Sequence, residues 1–469
     1  MARGRVLMVQ GTMSSVGKSL MVAALCRIFK QDGWRVAPFK AQNMALNSFA
    51  TRDGREVGRA QAMQADAAGV DVTVEMNPVL IKPEADAFAQ IVVMGKPWAH
   101  LPAGEYMRRR GDLVNMAMAE YADAPVLLVG DIDRGGIFAQ LIGTHALLEE
   151  KERAQIKGFI VNKFRGEPRL FEDGVRILEE RGRVPVLGVM PFVYDLRIAD
   201  EDSVVLDELP RDGRGNAPIG IAVLRLPHMS NFDDFDPLRA EADVAVRFVD
   251  RVEDLRQPDL IILPGTKTTT ADLAFLCERG LAEQTVELVR AGTPAIGICG
   301  GYQMLGTKIC DPLRVESNSV EVSGLGLLSS VTTFAAEKQT VRARGNISAN
   351  RGLFAEMRGL EVAGYEIHMG RTDAESESLI HVTARGDNPA DDFDGAVDSS
   401  GWIAGTYFHG LFDTDGLRHA LLTNLAWRKN LPRLSGARFD RDREYDRLAQ
   451  VARMNLQMDA IYRLVGIER

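Results

Sequence analysis

Residues 6–31 read VLMVQGTMSSVGKSLMVAALCRIFKQ, and their order decides the fold of the first half. An apolar run, Val6–Val9, reads as a buried strand. It enters a loop of Gly, Ser and Thr, Gly11–Ser19, and an amphipathic stretch, Leu20–Gln31, follows as a helix. A strand, a Gly-rich loop and a helix in that order make an anion cradle. Glycines let backbone N–H groups turn inward, and the helix start adds partial positive charge. Gly11, Gly17, Lys18 and Ser19 fall where a phosphate loop needs them, with Lys18 for the β/γ-phosphates and Ser19 for Mg²⁺. The first Gly stands one place early, so Thr12 occupies its usual slot. The loop predicts ATP binding; a plain turn between strand and helix is the alternative.

Outward from this loop, Val126–Val129, Phe159–Val161 and Val186–Val189 read as further buried parallel strands with helical stretches between them. Asp131-Ile-Asp133 follows the second run at the strand edge where ligands bind. It is either a metal-binding carboxylate pair, with Asp131 the candidate ligand, or a solvated turn. Asn162-Lys163 follows the third run and either reads a nucleotide base or makes local hydrogen bonds.

Leu209–Pro218 (LPRDGRGNAP) concentrates Pro, Gly and charge, as linkers do. After it the α/β pattern restarts with Ile219–Leu224, Val244–Phe248, Leu260–Leu263, Ala295–Ile298 and Ile403–Phe408. The expected domains are 1–212, 217–430 and a charged helical extension, 431–469, packed on the second domain. In Gly297-Ile-Cys299-Gly-Gly301 a Cys stands between glycines at a strand-to-helix turn. Such a turn exposes the sulfur and places it at a helix start, as a nucleophile requires. His409 follows the last strand and is its candidate base. Gly265, at the end of Leu260–Leu263, is a candidate oxyanion donor. ATP binding in one half and amide hydrolysis by a thiolate in the other suggest ammonia delivery to an activated carboxylate.

Length and composition bound the rest. With 469 residues, 46% hydrophobic and 26% charged, the chain is long enough for two or three globular domains. A net charge of −9 argues against a nucleic-acid partner held by phosphate attraction. Four scattered cysteines suit a reducing cytoplasm, and no apolar stretch is long enough for a membrane span.

These motifs resemble the cobyric acid synthase (CobQ/CbiP) family over nearly the whole chain. PFKAQNMALNS (38–48) and LPHMSNFDDFDPL (226–238) are the most specific. EVGRAQAMQADAAG (56–69), MNPVLIKP (76–83), GICGGYQMLG (297–306), YEIHMGRT (365–372) and YFHGLF (407–412) are further matches. The resemblance implies a P-loop domain similar to dethiobiotin synthetase, followed by one similar to triad-type (class I) glutamine amidotransferases. It implies amidation of the b, d, e and g carboxylates of adenosylcobyrinic acid a,c-diamide, a corrinoid, with ATP, Mg²⁺ and glutamine. Cys299 would be the nucleophile, His409 its base, and Gly265 and Gly300 the oxyanion donors. Lys40 would face the γ-phosphate, Glu56 would be a metal carboxylate, and Gln42 and Asn43 would contact the corrinoid.

Two departures stand out. Triad amidotransferases often carry a Glu two residues after the His, where this chain has Leu411. The group that orients His409 is therefore unassigned, with Glu366 and His368 as candidates. Relatives also carry a few tens of extra residues between the equivalents of Tyr106 and Asp112. Rival readings are cobyrinic acid a,c-diamide synthase, a non-catalytic corrinoid or nucleotide binder, and a partition-type ATPase. The last lacks an amidotransferase half.

Overall fold

The computed structural model describes residues 4–84, 88–102, 115–194, 196–198, 217–317, 319–432, 434 and 436–467. The shortened stretch between Tyr106 and Asp112 lies outside the described residues.

The first half is built on four parallel strands in the order Met8–Gly11, Val126–Asp131, Ile156–Phe164, Val186–Pro191. These are the four expected apolar runs. The first strand starts two residues later than Val6–Val9, because Met8 is the residue that pairs with Val126. Helix Lys18–Gln31 covers the sheet and buries Met21 and Ala23 through Phe29. Helix Arg59–Ala68, nearly all Ala, Gln and Met, packs beside it. Small side chains permit that close approach. A second, mixed sheet of Gln42–Met44, Val79–Pro83, Phe88–Val93 and Lys96–Pro102 was not legible as strands.

The second half has a parallel sheet in the order Val244–Val249, Ile219–Leu224, Leu260–Leu263, Ala295–Ile298, Ile403–Thr406, with Ala396–Val397 antiparallel at one edge. All five expected strands are there. Beside it lies a second β layer organised on the long hairpin Ser330–Ile347 and Glu361–Ala374. Its alternating burial leaves one face polar, and no continuous apolar run announces it.

The expected packing of residues 431–469 on the second domain is overturned. Helices Arg441–Asn455 and Met458–Leu464 lie on the first half. Tyr445, Leu448, Ala452, Ile461 and Tyr462 are buried in one cluster with Met21, Leu25 and Phe29. Arg27 pairs with Asp442 at 2.7 Å and Asp446 at 2.6 Å, and Arg453 pairs with Asp32 at 2.7 Å. The charge that suggested a solvated extension is thus matched to the phosphate-loop helix. The lead-in to these helices does touch the second half, where Arg441 pairs with Asp413 at 2.9 Å. No helix among the described residues is long and apolar enough to cross a membrane.

Candidate active site

Both chemically suggestive loops lie at the C-terminal ends of parallel strands, the side where α/β sheets bind ligands; Met8–Gly11 is the outer strand of its sheet and Ala295–Ile298 an inner strand of the other. In the phosphate loop, Gly17 has φ +96°, which a side chain rarely adopts, and a Cβ there would fall 2.3 Å from Asn162 Nδ2. Asn162 Nδ2 donates to Val16 O at 2.8 Å, and Lys163 Nζ donates to Ser15 O at 2.8 Å. The pair expected to read a base therefore braces the loop from the next strand but one. Lys18 Nζ donates to Met13 O at 2.8 Å, folded over its own loop. Thr12 Oγ1 donates to Gln140 Oε1 at 3.1 Å.

Asp131 is fully buried, and Lys163 Nζ lies 3.0 Å from its Oδ2. Its Oδ1 accepts from Asp133 N, while Oδ2 faces the Lys163 ammonium. A buried carboxylate at this strand end, joined through Lys163 to the backbone of the loop 11–19, has the oxygen donors that a divalent cation takes. Glu56 does not fit that role, and the expectation fails. It is fully buried, with Lys82 Nζ at 2.8 Å from one oxygen and Lys338 Nζ at 2.6 Å from the other. Burial opposes its charge, but the two ammonium groups hold its pKa well below the usual range. Burial draws Lys338 down to about 8 despite Glu56.

Asn43 is also corrected as a corrinoid contact. It is buried, donates to Gln61 Oε1 at 3.0 Å and accepts from Lys40 Nζ at 2.8 Å. Its amide is committed inside the first half, and Lys40 is drawn to it. Gln42, next to it, is half-buried in strand Gln42–Met44.

Cys299 closes strand Ala295–Ile298 and caps helix Gly300–Leu305 with φ 51° and ψ −108°. A non-glycine residue held in such a conformation marks a site that the surroundings over-determine. The side chain is 6% exposed, and Sγ lies 3.5 Å from Ile367 O. Gly300 supplies the first N–H of the helix, which the helix itself cannot pair. Gly265 abuts His409, since a Cβ on it would fall 2.8 Å from His409 Cε1.

His409 is buried, and its third partner is one that sequence reading missed. Asp234 Oδ2 lies 2.7 Å from His409 Nδ1, and Asp234 Oδ1 accepts from Gly410 N at 2.8 Å. The two grips fix both the carboxylate and the imidazole, leaving Nε2 for the thiol side. Burial pulls the His409 pKa down, but the Asp234 carboxylate and Cys299 outweigh it and raise it to about 10. Burial in turn lifts Asp234, against the pull of His409 and Gly410 N. Asp234 lies in the motif 226–238, where two adjacent aspartates in an apolar frame were the available signal. Glu366 and His368 do not orient His409. Glu366 takes both branches of Arg385, at 2.9 and 3.0 Å, and His368 Nδ1 bonds Gly370 O at 2.7 Å.

Cys299 and His409 open on a cavity of about 370 Å³, within the range of small-molecule sites. Its walls come from both halves: Gln303, Glu316 and Lys338 face Ser48, Lys82 and Gln90. Burial pushes the Glu316 pKa up to about 7. Lys267 crosses the cavity to Glu84 at 2.6 Å.

Two family models match the chain, one after the other. Residues 7–205 match the CobQ/CobB/MinD/ParA nucleotide binding domain, and 220–417 the CobB/CobQ-like glutamine amidotransferase domain. The chain is 46% identical to a cobyric acid synthase of Dehalococcoides mccartyi, over 99% of each chain. It is 47% identical to one of Sorangium cellulosum, again over 99% of each. The first alignment runs over 502 positions against the 469 residues here, so at least 33 positions have no residue in this chain. That shortfall has the size expected for the shortened stretch. With both domain matches in order and such identity from end to end, this chain belongs to the cobyric acid synthase family.

Proposed function

We propose that the two halves, 1–212 and 217–430, act in series as a cobyric acid synthase. The chain is an ATP-dependent, glutamine-hydrolysing amide ligase. Its substrate is adenosylcobyrinic acid a,c-diamide, whose b, d, e and g carboxylates are amidated in turn, each with one ATP and one glutamine. The observation that carries this reading is the cavity with Cys299 and His409 on one wall and Ser48, Lys82 and Gln90 of the ATP-binding half on the other.

In the glutaminase half, the Cys299 thiolate attacks the side-chain carbonyl of glutamine. The N–H groups of Gly265 and Gly300 take the negative charge that develops on its oxygen. His409, oriented by Asp234, gives its Nε2 proton to the departing nitrogen, which leaves as ammonia. Water then cleaves the thioester, releasing glutamate and restoring the thiol. Direct passage of ammonia between the halves would keep it from being protonated and lost in bulk water.

In the ATP-binding half, backbone N–H groups of 11–17 and Lys18 hold the phosphates while a corrinoid carboxylate takes the γ-phosphoryl group. Ser19 and Asp131 would hold Mg²⁺, which offsets phosphate charge. Ammonia displaces phosphate from the acyl phosphate and forms the amide. Asn162 and Lys163 keep the loop in shape, Lys40 would face the γ-phosphate and Gln42 the corrinoid. The four cysteines are free, which suits a cytoplasmic enzyme.

Mass spectrometry of corrinoid products tests this, with MgATP and either glutamine or ammonia as nitrogen donor. Four successive amidations are expected from either donor, and Cys299→Ala should keep only the ammonia-dependent set. No amidation from either donor, with glutamine hydrolysis intact, would overturn the ligase reading and point to the shortened stretch after Tyr106.

A further inference from the structure

His409 is held from the other half of the chain. Arg59 opens helix Arg59–Ala68 of the first half, and its Nε lies 2.6 Å from Asp233 Oδ2, both side chains being buried. Asp233 and Asp234 are neighbours in the single turn Phe232–Phe235. That turn is pinned to the first half by its backbone as well. Asn231 N donates to Asn47 Oδ1 at 2.7 Å, and Ser48 N donates to Asn231 Oδ1 at 3.0 Å. A second line runs through rings. The Arg59 guanidinium lies 5.0 Å from the centre of Phe49, Phe49 meets Tyr365 edge-on at 4.7 Å, and Tyr365 stacks on His409 at 5.3 Å. The helix that carries Arg59 also carries Gln64, whose amide donates to Ser19 O of the phosphate loop at 3.2 Å.

Two adjacent buried carboxylates do not both stay ionised without a cation beside them. Arg59 is the cation bonded to Asp233; the Arg441 guanidinium also acts on Asp233 through space, but both of its branches are bonded to another carboxylate. His368 is held neutral by burial, its pKa down to about 4. Asp413 is bonded by both branches of Arg441, at 2.9 and 3.0 Å. Burial lifts the pKa of Asp66, on the Arg59 helix, and that of Tyr365. Cys299 faces His409 from the opposite side and bears on the imidazolium directly.

We propose that Arg59, a residue of the ATP-binding half, is a positioning residue of the glutaminase site: by neutralising Asp233 it keeps Asp234 ionised and His409 in place. The inference rests on the reading of Cys299 and His409 as the glutaminase pair. It makes the ability to hydrolyse glutamine depend on the docking of the two halves, through a helix that touches the phosphate loop. Without Arg59 the two aspartates share a proton, the His409 imidazolium loses its counter-charge, and it releases its proton at lower pH.

The test measures glutamate release by the full chain across a pH series for wild type, Arg59→Gln, Arg59→Lys and the double variant Arg59→Gln/Asp233→Asn. Arg59→Gln should lower kcat/KM for glutamine by about tenfold or more. It should also move the alkaline limb of the profile down by about one pH unit. Arg59→Lys should return the limb toward its wild-type place. The double variant should do so too, because it removes the buried charge with its counter-charge and keeps the packing. An Arg59→Gln enzyme that is slower with an unmoved limb would reduce Arg59 to a tie between the halves and overturn the proposal. A double variant as displaced as Arg59→Gln would do the same. Glutamate release surviving in Cys299→Ala would instead sink the glutaminase reading, a result separable from any Arg59 outcome.

Discussion

The phosphate loop and the cysteine turn both follow the C-terminal end of a parallel strand, yet they are assembled in different ways. In the proposed function the loop 11–19 presents its phosphate-binding groups from one continuous stretch, and Asn162 and Lys163 brace it through the carbonyls of Val16 and Ser15. In the same reading the cysteine turn supplies the nucleophile and one helix N–H, and borrows everything else. His409 comes from a later strand end, Asp234 lies 175 residues before it, and Arg59 lies 174 residues before Asp233. A cradle for a multiply charged anion can be built from backbone N–H groups, which any chain carries. A proton-handling site needs side chains of set charge in set order, and only the tertiary fold brings those together. Binding is therefore local here, and acid–base chemistry is distributed.

The contrast can be broken most directly at Asp234. Asp234→Asn should cut glutamine hydrolysis by up to about 10⁴-fold, the loss on replacing a His-orienting carboxylate by its amide. Ammonia-dependent amidation should persist, read as corrinoid product with ammonium in place of glutamine. An equal fall with both donors would mean that the site is not modular. The reciprocal change is Lys18→Ala. Loss of one phosphate-directed cation should cost about 10²–10³-fold in amidation from either donor, with basal glutamate release kept. Removing Mg²⁺ with a chelator should act in the same direction. Smaller still is Asn162→Ala, which removes one hydrogen bond from the loop. A rise of about tenfold or less in KM for ATP is expected, from a bond worth about 1 kcal/mol. A collapse of nucleotide binding there would mean that Asn162 touches the nucleotide as well as the loop.

A pH series sharpens the comparison further. The folded-state pKa of His409 is raised to about 10, above the ordinary value near 6.5. Its pairing with Asp234 therefore adds stability that is fully present below pH about 6.5 and is lost as pH rises toward 10. Thermal unfolding of wild type against Asp234→Asn should show the largest gap at the acid end of that window and the smallest at the alkaline end.

Legibility in the sequence follows the same division. The parallel strands could be read because strands buried on both faces are continuous apolar runs, as in Val126–Val129 and Leu260–Leu263. The loop 11–19 and the frame around Cys299 could be read because each is short and needs glycine at particular places. Asp234 could not, because nothing within one motif says which distant His an aspartate will meet. Glu56 was misassigned for a related reason. Its partner Lys338 lies in the antiparallel layer on Ser330–Ile347, whose half-polar strands leave no apolar run. The direction of the C-terminal helices was also hidden. Tyr445, Leu448 and Ala452 mark an apolar stripe, but a stripe does not name the surface that it covers.

Those C-terminal helices have a practical consequence for anyone who would take the molecule apart. The chain passes through the ATP-binding half, then the glutaminase half, and returns to finish the first. A cut in the 209–218 linker would not release two self-sufficient pieces. The N-terminal fragment would expose Met21, Leu25 and Phe29 where Tyr445, Leu448 and Tyr462 now cover them. It would also leave Arg27 and Asp32 without their partners. A split version should work only when both fragments are made together, the second clasping the first by its tail. An independent ATP-binding unit would need residues 441–464 joined back to it through a new linker.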